Sequence, residues 1–225
     1  MTTPVPQVPS AEAEAASALL FRTLGAHRAA VAALKPRPLT RLRASPDGDP
    51  VQDRCQATLV RLLSITEAFA SDMLSREVDR AVADARSATA TKVADEAVIR
   101  STSTWQEQKK SYKDWLGVQE DWKAVEQLAE ARNAVAHGLG KLTRRQLRNE
   151  QSVKSKLKAA GITVDDNRIV LSDDSLAAAA SACRDFIERL DLAVHARADR
   201  RGTRWNVAGW PGLRTRRGCR RCLRR

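Results

Sequence analysis

Aromatic residues are scarce: five Trp, three Phe and one Tyr make up 4% of the 225 residues. Sheet sandwiches fill their cores with aromatic and β-branched side chains, so this shortage, beside abundant Ala, favours closely packed helices. Cysteine is scarce as well. The four thiols, Cys55, Cys183, Cys219 and Cys222, are too few to staple a small secreted scaffold and fit a reducing compartment. Cys219-Arg220-Arg221-Cys222 has finger-like spacing, but no second ligand pair stands near it; no metal is expected and no cofactor is implied. No stretch approaches the ~20 uninterrupted apolar residues of a membrane span. Met1 to Ser10 has neither positive charge nor an apolar run, so it does not read as a leader. The expectation is a soluble, cytoplasmic protein without a membrane span.

What the chain does have is positive charge. Its 39 Lys and Arg against 27 Asp and Glu leave +12, and the imbalance is concentrated. From Ala196 to Arg225 eleven arginines face one acid, Asp199, a surplus of ten, so the body before it is close to neutral. Clustered Arg releases condensed counterions from nucleic acid or meets an anionic membrane surface. The other reading of this segment is a disordered, solubilising tail. It interleaves Trp205 and Trp210 with arginines, which leaves open a membrane-surface or partner-binding role.

Apolar side chains, 43% of the total, are enough for a core, and their spacing is helical along most of the body. Leu20, Leu24, His27, Val31 and Leu34 form one stripe after a Ser10 cap, ended by Pro36 and Pro38; His27 on that stripe reads as a packed histidine. Asp49-Pro50-Val51-Gln52 opens a second helix whose apolar face holds Cys55, Leu59, Leu62, Leu63, Thr66, Phe69, Met73 and Leu74. Between Ser87 and Ser103 the period is weak and a break is expected. A third helix runs from about Thr104 to Leu116. A fourth, about Asp121 to Ala136, buries Trp122, Val125, Leu128 and Ala129 and ends at His137-Gly138-Leu139-Gly140, where the glycines suit a left-handed cap. Thr143 to Ala160 is basic and helical in part. Ile162–Val164, a turn at Asp165-Asp166-Asn167 and Arg168–Leu171 read as a hairpin. Ser172 then caps a last helix with Leu176, Ala180, Cys183, Phe186, Ile187, Leu190 and Val194 on its buried face. No internal repeat is present.

The chemistry gathers at Arg132-Asn133-Ala134-Val135-Ala136-His137. At about 100° per residue, Asn133 and His137 share a face, so Asn133 can support the imidazole. Arg132 and His137 are about 140° apart and do not converge on one rigid helix. A frayed helix end, or a second copy packed about a two-fold axis, would bring them together. Imidazole, with an ordinary pKa of about 6.5, exchanges protons near neutrality, and an Arg fork holds two phosphate oxygens. RNA carries its own nucleophile in the 2′-hydroxyl, so a base, an acid and a phosphate clamp suffice for transesterification. Lys141, Arg144, Arg145 and Arg148 follow directly and either grip RNA backbone or form a solvated basic face. The bland reading of the pair is a surface Arg and a His meeting the last helix carbonyls.

The string resembles the signature of the HEPN superfamily, an Arg followed four to six residues later by His, with Asn here after the Arg. The resemblance leans toward the RiboL-PSP type. Glu67-Ala68-Phe69 on a long second helix, an aromatic-containing link from Trp115 to Trp122, the motif helix, a short hairpin and a final helix follow that type's order from roughly Asp49 to Val194. The resemblance implies an all-α, HEPN-like helical bundle with a small hairpin before the last helix. Residues 1–48 would be an N-terminal segment with one helix packed on the bundle, 49–195 the domain, and 196–225 a flexible basic tail. It further implies a homodimer with a metal-independent endoribonuclease site at its interface, acting on RNA in toxin–antitoxin, abortive-infection or antiviral defence systems, with a cognate antitoxin or defence partner. Arg132 and His137 would be catalytic, with Asn133 assisting. The alternative is a non-catalytic RNA-binding or regulatory module. One departure stands out: some HEPN toxins carry Tyr two residues after the His, and this chain has Leu139, so neutralisation by modifying such a tyrosine is not expected.

Overall fold

Ser10 is the first fixed point of the chain. Its side chain accepts from the Ala13 amide and opens helix α1 (Ala11–Ala32), while its own amide and hydroxyl both donate to the buried Asp191 carboxylate at 2.7 Å. This computed structural model describes residues 8–34, 49–83 and 87–200. The remaining helices are α2 (Pro50–Val82), α3 (Ala88–Ser101), α4 (Trp105–Leu116), α5 (Lys123–Gly138), α6 (Arg144–Leu147), α7 (Glu150–Ala159) and α8 (Asp173–Arg200). A two-stranded antiparallel sheet, β1 (Thr163–Asp165) and β2 (Arg168–Val170), precedes α8. The chain is therefore all-α with a small hairpin before the last helix. No helix among the described residues is long and apolar enough to cross a membrane.

Two compact units can be distinguished. The first takes the described residues up to Met73 together with Glu120–Leu192, and the second Leu74–Gln119 together with the described residues from Ala193. In the first unit the expected faces are buried: Cys55, Leu59, Leu62, Leu63, Thr66, Phe69 and Met73 on α2, Leu176, Ala180, Cys183, Phe186, Ile187 and Leu190 on α8, and Val125, Leu128 and Ala129 on α5. Trp122 meets Phe186 edge-on with centroids 4.8 Å apart, a geometry adding about 0.5–1.5 kcal/mol beyond area burial. In the second unit Leu74, Val78, Ala94, Trp105, Tyr112 and Leu116 are buried. There Arg197 donates to the Trp115 carbonyl at 3.2 Å.

Several boundaries differ from the sequence reading. The expected break between Ser87 and Ser103 is helix α3, capped by Ser87. Its apolar period is weak because the helix buries little, only Ala94 and Ser101 fully, so its Ala content rather than a core-facing stripe sustains it. Helix α2 continues past Leu74 to Val82, and α8 past Val194 to Arg200, into the basic segment. The stripe on α1 is buried at Leu20, Leu24 and His27, but Leu34 beyond the helix is exposed. Pro36, Pro38, Trp205, Trp210, Cys219 and Cys222 lie outside the described residues.

His27 is packed, as its stripe position implies. Its Nδ1 is 3.0 Å from the Thr58 hydroxyl, and Cys55 Sγ is 3.9 Å from Nε2. Burial lowers its pKa from the usual 6.5, with Arg54 and Arg28 adding to the effect and Asp173 opposing it. Burial likewise raises Cys55 and pushes the Cys183 thiol up to about 11, so both thiols are core filling rather than nucleophiles. A folded-state pKa below the unfolded value means that the His27 contribution is complete above about pH 6.5 and drains as pH falls through the lowered value. The urea midpoint should therefore fall between about pH 7 and 5, above the range where carboxylates titrate. In His27→Gln, which keeps a polar partner for Thr58 without a titrating ring, this part of the fall should vanish.

Candidate functional site

Helix α5 carries the motif because its inner face is apolar at helical spacing, with Val125, Leu128, Ala129, Ala131 and Ala134 buried. That register turns Arg132 and Asn133 to partly exposed positions and leaves His137 exposed. The helix stays regular through Gly138, so His137 sits in an unfrayed last turn. Arg132 and His137 therefore keep the separation of about 140° that an ideal helix imposes. The structure does not bring them together within one chain. Nor does any hydrogen bond join Asn133 to His137 among the described residues. The described partner of Arg132 is Glu67 on α2, with Nη2 3.7 Å from Oε2 and both side chains part-exposed.

Sequence spacing places Glu67 in the Glu-x-aromatic pattern and by itself gives no sign of its ion pair with Arg132. A signal existed in principle: Glu67 stands beside the buried Thr66 on α2, at the edge of the apolar face. Reading that edge as facing Arg132 requires knowing which helices are neighbours.

The chain leaves α5 through two left-handed residues, Leu139 at φ 52° and Gly140 at φ 82°. The expectation that both glycines serve the cap is thus half met: Gly138 is the last helical residue, and Leu139 takes the first left-handed position. Gly140 donates to the Ala134 carbonyl at 3.2 Å, and Lys141 to the Gly138 carbonyl at 2.9 Å. A Cβ on Gly140 would lie 2.6 Å from the Gln56 side-chain amide. The next residues are then sewn to the hairpin, with Ile169 donating to Gly140 at 2.8 Å and Leu142 to Asn167 at 2.7 Å.

Lys141, Arg144, Arg145 and Arg148 are all exposed on this exit segment. Thr143 and Gln146 form a capping box that starts α6. The buried Gln146 amide reaches back to the Glu130 carbonyl at 2.8 Å and its carboxylate at 3.0 Å, and Lys156 of α7 meets the same carboxylate at 3.1 Å. The short helix is thereby fastened to the motif helix, and its arginines face solvent close to the motif in the chain.

No protein-family model, curated protein or solved structure matches the chain. Fold and site together define an all-α protein with a hairpin insertion and an Arg–Asn–His helix end bordered by exposed cations.

The exit from α5 makes its own prediction. Leu139 is 89% exposed, so replacing it with Gly loses no packing and relieves a left-handed conformation that disfavours residues with a Cβ. Leu139→Gly should gain about 0.5–1 kcal/mol in urea unfolding. Gly140→Ala should lose roughly 1–3 kcal/mol by the same measurement, since it adds both the unfavourable φ and the contact with Gln56.

Proposed function

We propose that this chain is a metal-independent endoribonuclease, cleaving RNA through attack of a 2′-hydroxyl on the adjacent phosphorus. The observation that carries the reading is the motif's placement. His137 is exposed at the end of α5, Arg132 and Asn133 are part-exposed one turn earlier, and Lys141, Arg144, Arg145 and Arg148 stand exposed just beyond. In the reaction a base takes the 2′-hydroxyl proton, the oxygen bonds phosphorus, the bond to the 5′-oxygen breaks, and an acid protonates that leaving oxygen. The products are a 2′,3′-cyclic phosphate and a 5′-hydroxyl. Arg132 would hold the non-bridging oxygens and stabilise the charge that grows on them.

Attacking and leaving oxygens lie on opposite sides of phosphorus, so one imidazole does not serve both. A homodimer answers this. Two α5 helices about a two-fold axis would offer one His137 to each side and set the Arg132 of one copy toward the His137 of the other. The HEPN resemblance supports this reading and associates such enzymes with toxin–antitoxin and antiviral systems, which makes RNA and a cognate antitoxin or defence partner the expected partners, in the cytoplasm. The second reading, a non-catalytic RNA-binding or regulatory module, is favoured by the Glu67 carboxylate, which competes with phosphate for Arg132.

Cleavage separates the two. His137→Ala and Arg132→Ala should each cost at least about 100-fold in cutting single-stranded RNA, with melting little changed because neither side chain is buried. Parent activity should survive EDTA, since side chains supply base, acid and clamp. A folded His137→Ala protein cutting at the parent rate would sink the mechanism, and tight binding without cutting would install the regulatory reading.

The shared cleft has its own check. After denaturation and co-refolding with an equal amount of His137→Ala protein, the parent should keep roughly half of its activity, because half of its chains end in mixed dimers that hold a single His137. No loss of activity, or a strict monomer that cuts RNA, would place each site within one chain.

A further inference from the structure

The hairpin has a third member. Lys141 and Arg168 form an antiparallel bridge, flanked by the Ile169 to Gly140 bond at 2.8 Å and the Leu142 to Asn167 bond at 2.7 Å. Bonds on both sides of a facing pair, and none between its members, define the narrow pairing site of an antiparallel ladder. There opposed residues approach most closely, with Cα atoms about 4.5 Å apart and side chains on one face. Burial agrees with that register. Lys141 and Arg168 are exposed, while their neighbours Leu142 and Ile169 point inward at 5% and 0% exposure.

Two cations directly opposed across a sheet repel, and the arrangement costs stability where nothing anionic lies between them. No ion pair or side-chain hydrogen bond reaches Lys141 or Arg168 among the described residues. Asp165, the register partner of Arg168 on its other flank, shares the face without an ion pair to it, and one carboxylate against two cations leaves a net positive charge. The main chain, not the side chains, enforces the pairing. Asp166 and Asn167 at φ 40° and 63° make a tight two-residue turn, and Gln52 of α2 holds both backbone groups of Leu171 where β2 ends.

We propose that Lys141 and Arg168 together bind one phosphodiester of an RNA strand whose neighbouring phosphate lies at His137. A bridging phosphate turns the repulsion into two charge-assisted contacts. Lys141 follows the motif helix by one bonded turn, its amide donating to the Gly138 carbonyl at 2.9 Å. Arg168 was absent from the sequence-based candidates because it stands far along the chain and joins Lys141 only through the fold. The inference rests on the RNA reading for the identity of the polyanion but not on cleavage.

The test therefore uses the full chain carrying His137→Ala, which leaves RNA intact, and measures binding of a single-stranded RNA oligonucleotide by fluorescence anisotropy over a range of KCl. Adding Arg168→Ala or Lys141→Ala should reduce the slope of log affinity against log salt by about 0.7 each. Arg168→Lys should restore most of it. Arg168→Gln should weaken binding as Arg168→Ala does, while its melting temperature stays close to the parent's because the repulsion from Lys141 and the attraction to Asp165 leave together. A smaller slope in an unchanged fold separates a binding pair from a structural one. Unchanged slopes in folded variants would overturn the proposal. So would loss of binding to anionic phospholipid vesicles with RNA affinity intact, or competition by millimolar inorganic phosphate as effective as competition by RNA. Parent protein that binds RNA without cutting it overturns the nuclease reading and leaves this pair standing.

Discussion

The side-chain amide of Gln52 donates to the Leu171 carbonyl at 2.7 Å and accepts from the Leu171 amide at 3.0 Å, and this pair of bonds ties the end of the hairpin to α2. It completes, from a helix, the pairing that a further strand would give to the end of β2. One turn along α2, the Gln56 amide fills the space that a side chain on Gly140 would need. The first turns of α2 thus receive both the end of the hairpin and the exit of the motif helix. Each net hydrogen bond is worth about 1 kcal/mol, and removing the amide would strand two backbone groups at about 1–3 kcal/mol each. The hairpin is too short to be stable alone and exists because α2 holds it.

That attachment explains how a weakly apolar stretch keeps a defined shape. From Leu139 to Arg148 the buried side chains are Leu142 and Gln146, so hydrophobic burial is a small part of its stability. Backbone bonds to the hairpin, the Thr143 capping box and the Gln146 contact with Glu130 replace it. A segment fixed by main-chain and amide contacts leaves its charged side chains without a packing duty. Lys141, Arg144, Arg145 and Arg148 can then be arranged for an anion.

Helix faces were legible in the sequence wherever one side of a helix is buried, and the hairpin was legible from its turn residues. The faces of α2, α5 and α8 match residue for residue in the first unit. Helix α3 was not legible, since periodicity reports burial and α3 buries almost nothing. The end of α5 was misplaced because glycine marks a left-handed cap by propensity, whereas here the narrow approach to Gln56 assigned the second glycine its place and left Leu139 to take the first. For the site, the motif was visible as a string, but the contacts of Glu67 with Arg132 and of Arg168 with Lys141 were not, because each forms through tertiary register. Local spacing carries no such information.

The motif's angular geometry constrains chemistry more tightly than its composition does. A helix that frayed after Asn133 could swing His137 toward Arg132 within one chain. Here the exit is pinned at Ala134, Gly138 and Gly140 by hydrogen bonds and cannot unwind without breaking the hairpin contact. Rigidity at that point therefore has a geometric consequence: it leaves Arg132 and His137 facing different directions. Glu67 occupies the Arg132 side in the single chain, and the ion pair between two part-exposed groups is weak enough for a phosphate to displace. Under the proposed nuclease reading, such a site would stay inert until a second copy and a polyanion meet it.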